Sequence, residues 1–353
     1  MERADAGLAF LLRYENIAWY DAGQVRILDR RIYPLEIRFV ACRTHLEVRD
    51  AIRDMVTQSA GPYTAAAMGM ALAAFECRGK SPEDVMDYLR GAAFAISHAR
   101  PTTSSRMELV CQASLQAAQA ALENGKDVSL AIRDAAVESN DKRYRRVEKM
   151  AGYMAALLPQ KPRILTQCFG ETIVGQTIKV ARGLGIEPEF YCAETRPYFQ
   201  GARLTASVVR DMGCKVTVVT DNMPAYLMQN EDIDLFTSAA DVITLDGHVV
   251  NKVGTFQIAI AADYLGVPYY VSGTPDVGHA DVASVNIEMR DSSLVLEAMG
   301  VKTTMDGVLG YYPSFDITPP GLVRGVVTDE GVFSPYDLAR YLEIGNKTGE
   351  LII

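Results

Sequence analysis

The chain opens with short stretches in which apolar and polar residues alternate, the pattern of strands with one buried face. Three such runs favour a small β-rich start: residues 16–20, 24–28 and 36–40. The polar triplet Asp21-Ala22-Gly23 predicts a tight turn between the first two. Helical spacing of the apolar residues then takes over and continues to about residue 158. This first part is therefore predicted to be mainly helical.

Two helix starts in this part carry capping signals. Thr44 is followed three residues later by Glu47, the capping-box spacing, and Ser81 precedes Pro82 and two acids. The Ala- and Met-rich stretch 64–77 is apolar on most sides, which predicts a buried helix. Further helices are predicted over three stretches: residues 105–124, 128–138 and 142–157.

Beyond Pro159-Gln160-Lys161-Pro162 the pattern changes to short apolar runs that alternate with helical segments. The runs that favour strands are residues 163–166, 189–192, 215–219, 242–245 and 268–271. Such alternation predicts βαβ units and a parallel sheet with helices on both faces. We expect an α/β protein with two domains, a mainly helical domain over 1–158 and a parallel-sheet domain over 159–353.

Composition narrows the class of protein. The 353 residues carry 44 acids against 35 bases, a formal net charge of −9, which argues against a nucleic-acid partner. The basic run at 142–146 is interpreted as a solvated helix face. The longest uncharged run of the chain, Met55–Phe75, contains too many polar and small residues for a membrane span. Six scattered cysteines form no C-x-x-C pair, which favours reduced thiols in the cytoplasm.

In parallel sheets, ligands bind beyond the carboxyl ends of the strands, so the residues after each run are the candidates for chemistry. Cys168 follows the first run near a helix start, where a thiol pKa is lowered; it is either a reactive thiol or a small buried residue. Asp241 stands beside an apolar run, and burial there raises a carboxyl pKa, so it is either an acid–base group or a structural aspartate.

Later loops offer anion-binding groups. Arg196 and Gln200 lie on a Pro-stiffened loop, and Asn251-Lys252 precede a Gly-Thr helix start whose free N–H groups suit an anion; each set is equally open to a capping or ion-pair role. Phosphate-loop and dinucleotide glycine motifs are absent, so no nicotinamide cofactor is indicated. His248 and His279 stand alone in the sequence, so no metal site is predicted.

Several motifs together carry a resemblance to a known family. They are Ile164-Leu165-Thr166-Gln167-Cys168, Glu194-Thr195-Arg196-Pro197, Gln200-Gly201-Ala202-Arg203-Leu204-Thr205, Asp221-Asn222-Met223, Asn251-Lys252-Val253-Gly254-Thr255, Phe315-Asp316-Ile317-Thr318-Pro319 and Thr328-Asp329-Glu330-Gly331, with Arg100-Pro101-Thr102 upstream. In these the chain resembles the methylthioribose-1-phosphate isomerase family, which is related to ribose-1,5-bisphosphate isomerases and to regulatory subunits of the eukaryotic initiation-factor guanine-exchange complex.

The resemblance implies a Rossmann-like catalytic domain, a homodimer or larger homo-oligomer, and a sugar phosphate as the small-molecule partner. It places the family's catalytic residues on Cys168 and Asp241. It places ligand contacts on four residues: Arg100, Gln200, Asn251 and Lys252. The implied reaction is an aldose–ketose isomerisation of a pentose 1-phosphate, which needs neither a metal nor an organic cofactor.

Two departures from the family pattern bear on the substrate. Ser59 and Ala60 stand where the family has Arg and Gly in a phosphate-contacting run, and Phe169 and Glu171 crowd the residues after Cys168. One hypothesis is that Arg106 supplies the missing guanidinium. The alternatives are isomerisation of the free methylthio- or deoxy-pentose, isomerisation of ribose 1,5-bisphosphate, and a non-catalytic sugar-phosphate or nucleotide sensor.

Overall fold

The structure, a computed structural model, describes residues 2–100 and 104–344. Pro101 and Thr102 of the upstream motif, and the predicted second domain beyond residue 344, lie outside the described residues. Within this part the chain divides into two compact units, residues 2–145 and 146–344. In the described residues, no helix is both long enough and apolar enough to span a membrane.

The first unit is mainly helical and carries a small antiparallel sheet. Its strands, in sheet order, are β1 (Ala18–Asp21), β2 (Gln24–Leu28) and β3 (Phe39–Cys42). Its helices are α1 (Tyr14–Ile17), α2 (His45–Arg53), α3 (Gly61–Glu76), α4 (Pro82–Ser97), α5 (Ser104–Glu123) and α6 (Val128–Ala155), the last of which continues into the second unit.

The β-rich start is confirmed, with shifted ends. The predicted turn joins β1 to β2 through Ala22 and Gly23, whose φ angles of 45° and 87° suit a tight hairpin. β1 begins at Ala18 rather than residue 16, because Tyr14–Ile17 form a helical turn. β3 begins three residues later than predicted, at Phe39.

Both predicted caps are confirmed. The Thr44 hydroxyl accepts a hydrogen bond from the Glu47 N–H at 3.2 Å, and the Ser81 hydroxyl accepts one from the Asp84 N–H at the same distance. The buried helix predicted from residue 64 is α3, which begins at Gly61 and is buried over most of its length.

The predicted break between residues 138 and 142 is wrong, because α6 runs through it without interruption. Asn140 is buried there, and the Asp141 carboxylate accepts hydrogen bonds from the Ala4 N–H at 2.9 Å and the Tyr14 hydroxyl at 2.6 Å. The polar side chain of Asp141, which resembles part of a local break, is therefore satisfied by partners more than 100 positions away in sequence, which local patterns do not reveal.

The second unit is built on a mixed, mostly parallel sheet. Its strands are β4 (Arg163–Thr166), β5 (Glu189–Ala193), β6 (Val216–Val219), β7 (Leu235–Ala239), β8 (Val242–Ile243), β9 (Val249–Lys252), β10 (Tyr269–Ser272), β11 (Glu297–Ala298), β12 (Val301–Lys302), β13 (Phe315–Thr318), β14 (Gly325–Thr328) and β15 (Gly331–Phe333). Its helices after α6 are α7 (Thr172–Gly183), α8 (Ala206–Asp211), α9 (Pro224–Asn230), α10 (Thr255–Leu265) and α11 (Ala339–Glu343).

Seven of these strands form the central sheet, in the order β15-β14-β10-β7-β4-β5-β6. All neighbours are parallel except β15, which pairs antiparallel with β14 at the edge. Strands β13, β9 and β8 form a separate antiparallel sheet, and β11 pairs with β12. Fully buried side chains from four central strands fill the core: Leu165, Phe236, Val271 and Val326.

One predicted strand lies in a different sheet from the one expected. Residues 242–245 were expected in the parallel sheet, but only Val242 and Ile243 form a strand, and it belongs to the small antiparallel sheet. The central position is taken by β7, whose pattern is obscured by polar residues. Ser238 in β7 is buried, and its hydroxyl lies 2.7 Å from the hydroxyl of Tyr269. This shift puts Asp241 after a central strand.

Candidate functional site

Four loops at the carboxyl edge of the central sheet supply the candidate site. Each of the neighbouring strands β7, β4, β5 and β6 is followed, two positions after its last residue, by a polar residue or a cysteine. In strand order these residues are Asp241, Cys168, Thr195 and Asp221. Lys252 ends β9 nearby, and the charges of Lys252, Asp241 and Asp221 all act on the pKa of the Cys168 thiol. The fold thus brings together three residues predicted from the sequence, namely Cys168, Asp241 and Lys252.

Cys168 has an unusual backbone conformation. Its φ of 63° lies in the left-handed region, which non-glycine residues seldom adopt and which is enriched at functional sites. Its N–H donates a hydrogen bond to the Thr195 hydroxyl oxygen at 3.0 Å, and the Thr205 hydroxyl donates one to its carbonyl oxygen at 2.5 Å. We call this pair of contacts the threonine clamp, since it holds the Cys168 peptide groups on both sides.

The threonine clamp is itself held by a carboxylate. Asp221 accepts hydrogen bonds from the N–H groups of Thr195 at 2.8 Å and Arg196 at 2.7 Å. A Cβ atom at Gly201 would lie 1.8 Å from the Ala193 carbonyl oxygen, so only glycine allows this close approach. In the sequence, Asp221 stands out as part of the Asp221-Asn222-Met223 motif, without an assigned role. Its position just beyond a parallel strand was the available signal for a larger role.

The environment of Cys168 raises its thiol pKa to about 11. Burial is the main cause, the charges of Asp241 and Asp221 add to it, and Lys252 opposes it. The expected lowering by a helix start is wrong, because α7 begins only at Thr172, four residues further on. At neutral pH the thiol is therefore protonated.

Asp241 lies on the surface rather than in an apolar pocket. Its side chain is exposed, although its N–H donates to the Val250 carbonyl at 2.9 Å and so fixes the backbone beside β9. The expectation that neighbouring apolar residues bury this carboxylate is therefore wrong. Because β8 turns away into the small antiparallel sheet, Asp241 remains at the edge, where a ligand in solution can reach it.

Lys252 and Asn251 are both buried, at 4% exposure each. The Lys252 ammonium lies 4.8 Å from the centre of the Phe315 ring and 5.9 Å from that of Tyr312, distances that allow attraction to the ring faces. The Asn251 side-chain amide donates to the Thr255 hydroxyl at 3.0 Å. Lys252 is thus a buried cation beside the Cys168 thiol.

The start of α10 does not offer the free N–H groups that the sequence suggested. One carboxylate oxygen of Asp316 accepts hydrogen bonds from Gly254 at 2.6 Å and Phe256 at 3.1 Å. Burial raises the pKa of Asp316 to about 6, although these two N–H groups oppose the shift. The carboxylate already occupies the helix N-terminus as its anion, so a phosphate at this site needs side-chain donors.

Gln200 and Arg196 come from the same loop as Thr195. Gln200 is buried, and its side-chain carbonyl oxygen has no hydrogen-bond partner within the described ranges. The Arg196 guanidinium donates to the Glu297 carbonyl oxygen at 2.6 Å and lies over the Phe199 ring at 4.8 Å. Arg196 therefore anchors the segment around β11, whereas Gln200 retains an unused acceptor.

The remaining predicted contacts lie in the first unit, which is described by itself. Arg100 is half-buried, three residues after α4. Ser59 is exposed and has a φ of 58°, so the loop that contains Ser59 and Ala60 has a left-handed backbone conformation there. The loop packs on Arg30, which is fully buried and donates to the Gln58 carbonyl oxygen at 2.5 Å.

The two solitary histidines have local carboxylate neighbours. His248 lies 3.1 Å from Asp246, and His279 lies 3.5 Å from Asp276. Across residues 2–100 and 104–344, no group of three or more His, Cys, Asp or Glu side chains is arranged to hold a metal ion.

Comparison with known proteins gives a consistent result. The family model described as "Initiation factor 2 subunit family" matches residues 57–335. The methylthioribose-1-phosphate isomerase of Pelotomaculum thermopropionicum is 31% identical over 339 residues, 92% of each chain. That of Heliobacterium modesticaldum is 33% identical over 341 residues, covering 91% of this chain and 96% of the relative.

Two solved structures have the same fold. The 5-methylthioribose 1-phosphate isomerase from Pyrococcus horikoshii OT3 superposes with a TM-score of 0.80 at 28% identity, covering 94% of this chain and 96% of that one. The translation initiation factor eIF-2B subunit delta from A. fulgidus gives a TM-score of 0.79 at 28% identity, covering 93% and 99%. The family match over most of its length, together with these relatives, shows that this chain belongs to the initiation factor 2 subunit family.

Proposed function

We propose that this chain is an aldose–ketose isomerase that converts 5-methylthioribose 1-phosphate to the corresponding ribulose 1-phosphate. The observation that carries the proposal is the meeting of a protonated thiol, an exposed carboxylate and a buried ammonium group at one sheet edge, from Cys168, Asp241 and Lys252. Relatives named for this activity, 31% and 33% identical over most of the chain, support it.

The reaction moves one hydrogen from C2 to C1 and opens the sugar ring. In one path Cys168 removes the C2 proton as a thiolate, the C2–H electrons form a C1–C2 double bond, and the bond from C1 to the ring oxygen breaks. Asp241 exchanges protons with the ring oxygen and the C2 hydroxyl, and the Cys168 thiol returns its proton to C1. Lys252 favours this path, because its charge stabilises the thiolate.

A second path is favoured by the raised pKa of Cys168, which keeps the thiol protonated at neutral pH. Here Cys168 donates its proton to the ring oxygen as C1 leaves it, Asp241 takes the C2 hydroxyl proton, and the C2 hydrogen moves to C1 with its electron pair. The two paths differ in one observable. Only the first allows deuterium from the solvent to enter C1.

The ligand contacts in the proposal follow the family motifs. Lys252 supplies charge for the phosphate, and Gln200 supplies a buried acceptor for a sugar hydroxyl. Asn251 and Arg100 complete the set of proposed contacts. The wider proposal is a cytoplasmic homo-oligomer, a dimer or larger, with a Rossmann-like catalytic domain over 159–353 after a mainly helical domain over 1–158.

The test is proton NMR of the purified protein in heavy water, with methylthioribose 1-phosphate, free methylthioribose and ribose 1,5-bisphosphate in separate samples. We expect a ketose from the first substrate. Cys168→Ser is expected to reduce turnover sharply with the fold intact, whereas Cys214→Ser, a buried cysteine just before β6, serves as the matched control. No ketose from any of the three sugars would contradict the proposal and favour a sensor.

A further inference from the structure

Tyr312 is a buried tyrosine that no motif singled out. It stands three residues before β13 and is 2% exposed. Its hydroxyl is buried and has no hydrogen-bond partner among the residues that the structure describes. A buried phenol hydroxyl ordinarily finds a partner, so one without any calls for an explanation.

The surroundings of Tyr312 are those of the candidate site. Its ring centre lies 5.9 Å from the Lys252 ammonium and 6.2 Å from the ring centre of Tyr198. The charges of Cys168 and Arg290 also act on its hydroxyl, in opposite directions. The unpartnered hydroxyl therefore belongs to the same cluster as the thiol and the buried ammonium.

The backbone around Tyr312 is fixed on both sides. Its carbonyl oxygen accepts a hydrogen bond from the Arg290 N–H at 3.0 Å. The next residue but one, Ser314, donates to the Glu288 carbonyl at 2.9 Å and accepts from the Val253 N–H at 3.2 Å. Because Val253 follows Lys252 directly, this last bond ties the Tyr312 segment to the strand that ends in the ammonium. The backbone of Tyr312 is therefore fixed beside the strand that ends in the ammonium.

We infer that Tyr312 is a substrate-contacting residue, whose hydroxyl donates a hydrogen bond to an oxygen of a sugar phosphate bound beside Cys168 and Lys252. The inference rests on the proposed function, since it deepens the description of that same site. It supplies the partner that the hydroxyl lacks among the described residues. It also adds a neutral donor to the charge of Lys252, a combination that stabilises negative charge on oxygen.

Burial raises the pKa of Tyr312 well above its ordinary value, so the hydroxyl stays protonated across the working pH range. Its role is therefore that of a donor and not of a base. The oxygen that it contacts belongs either to the sugar or to its phosphate. Either kind of oxygen accepts a hydrogen bond from a phenol hydroxyl, and the experiment distinguishes a sugar oxygen from a phosphate oxygen.

The test compares Tyr312→Phe with Tyr311→Phe, a matched control at the neighbouring tyrosine, which is 77% exposed. For Tyr312→Phe we expect kcat/KM with methylthioribose 1-phosphate to fall by about ten- to a hundredfold, with an unchanged or slightly higher Tm. The Tm separates this role from a structural one, since removing a hydroxyl that supported the fold would lower it. Wild-type values of kcat/KM for Tyr312→Phe would overturn the inference.

Calorimetric binding of inorganic phosphate identifies the contacted oxygen. Weaker phosphate binding by Tyr312→Phe than by wild type assigns the contact to the phosphate, whereas unchanged phosphate binding with reduced kcat/KM assigns it to the sugar. If the wild-type protein binds methylthioribose 1-phosphate without converting it, the proposed function fails. The inference is then decided by binding of that sugar phosphate, and equal affinity of wild type and Tyr312→Phe overturns it.

Discussion

The backbone N–H of Cys168 donates a hydrogen bond to the hydroxyl oxygen of Thr195, across two neighbouring strand ends of the central sheet. The same hydroxyl donates to the side chain of Gln167 at 3.1 Å, so a single side chain fixes two consecutive residues after β4. Together with Thr205 on the carbonyl side, this contact holds Cys168 in its left-handed conformation. The position of the thiol is thus set by its neighbours' side chains.

Loss of the hydrogen bond from the Thr205 hydroxyl to the Cys168 carbonyl oxygen, one of the two contacts of the threonine clamp, should reduce turnover. Thr205→Val keeps the side-chain shape but leaves the Cys168 carbonyl without the hydroxyl donor. We expect kcat for methylthioribose 1-phosphate to fall at least tenfold with little change in KM, and stability to fall by about 1–3 kcal/mol in urea unfolding. Thr205→Ser retains the hydroxyl and should restore most of the activity. Equal kcat for the valine and serine variants would contradict a positioning role.

Alkylation of Cys168 should depend steeply on pH. Its pKa is raised to about 11, and the thiolate is the reactive form, so the rate with iodoacetamide should rise about tenfold per pH unit between pH 7 and pH 10. Cys168 is partly exposed whereas the other five cysteines are buried, so peptide mass spectrometry should find Cys168 modified first. A rate that levels off near pH 8 would show that the thiol is more acidic than its burial implies.

Two substitutions should move that pH dependence in opposite directions. Lys252→Met removes a cation that lowers the pKa of Cys168 and should shift the alkylation profile to higher pH. Asp241→Asn removes an anion that raises this pKa and should shift the profile to lower pH. Lys215→Met, at an exposed lysine before β6, is the control and should leave the profile unchanged. Shifts of the same sign in both site variants would refute the arrangement of charges described here.

Asp316 should make the protein less stable as the pH rises. In the unfolded chain this carboxyl ionises near pH 3.8, whereas its folded pKa is about 6, so its ionisation opposes folding. The folded state is favoured by this group below about pH 4, and about 3 kcal/mol of stability is lost as the pH rises through 6.

Urea unfolding of wild type and Asp316→Asn between pH 4 and pH 7 checks this linkage. The Asp316→Asn variant has no carboxyl group to titrate at this position and should lack that part of the decline in stability. The difference in unfolding free energy between the two proteins should therefore change by about 3 kcal/mol over this pH range. A difference that stays constant from pH 4 to pH 7 would mean that the pKa of Asp316 is not raised by folding.

Local signals predicted the elements whose ends are fixed by nearby residues. Thr44 and Ser81 cap their helices as expected, because each hydroxyl needs only an N–H three residues ahead. Strand β4 was predicted at its observed bounds from a short apolar run. In contrast, β7 was missed because Ser238 is polar, and its hydroxyl pairs with that of Tyr269 on the adjacent strand, a contact that the local sequence does not reveal.

The grouping of the candidate residues was predictable from the sequence, whereas their electrostatics were not. The rule that ligands bind beyond parallel strands pointed to Cys168, and the structure brings it to Asp241 and Lys252. The exposure of Asp241 and the raised pKa of Cys168 depend on how distant segments pack. Tyr312, whose hydroxyl is influenced by the charge of Cys168, comes from a loop far along the chain, and no spacing in the sequence reveals that relationship.

The carboxylate of Asp316 at the start of α10 has a consequence for competition by dissolved anions. Because it is attached to the chain, its effective concentration at the amides of Gly254 and Phe256 exceeds what a buffer anion reaches in solution. Phosphate or sulfate in the medium therefore does not displace it from this helix. In the proposed function, discrimination for a phosphorylated sugar therefore falls to side chains, Lys252 among them, so a single substitution at one of these side chains is expected to change it.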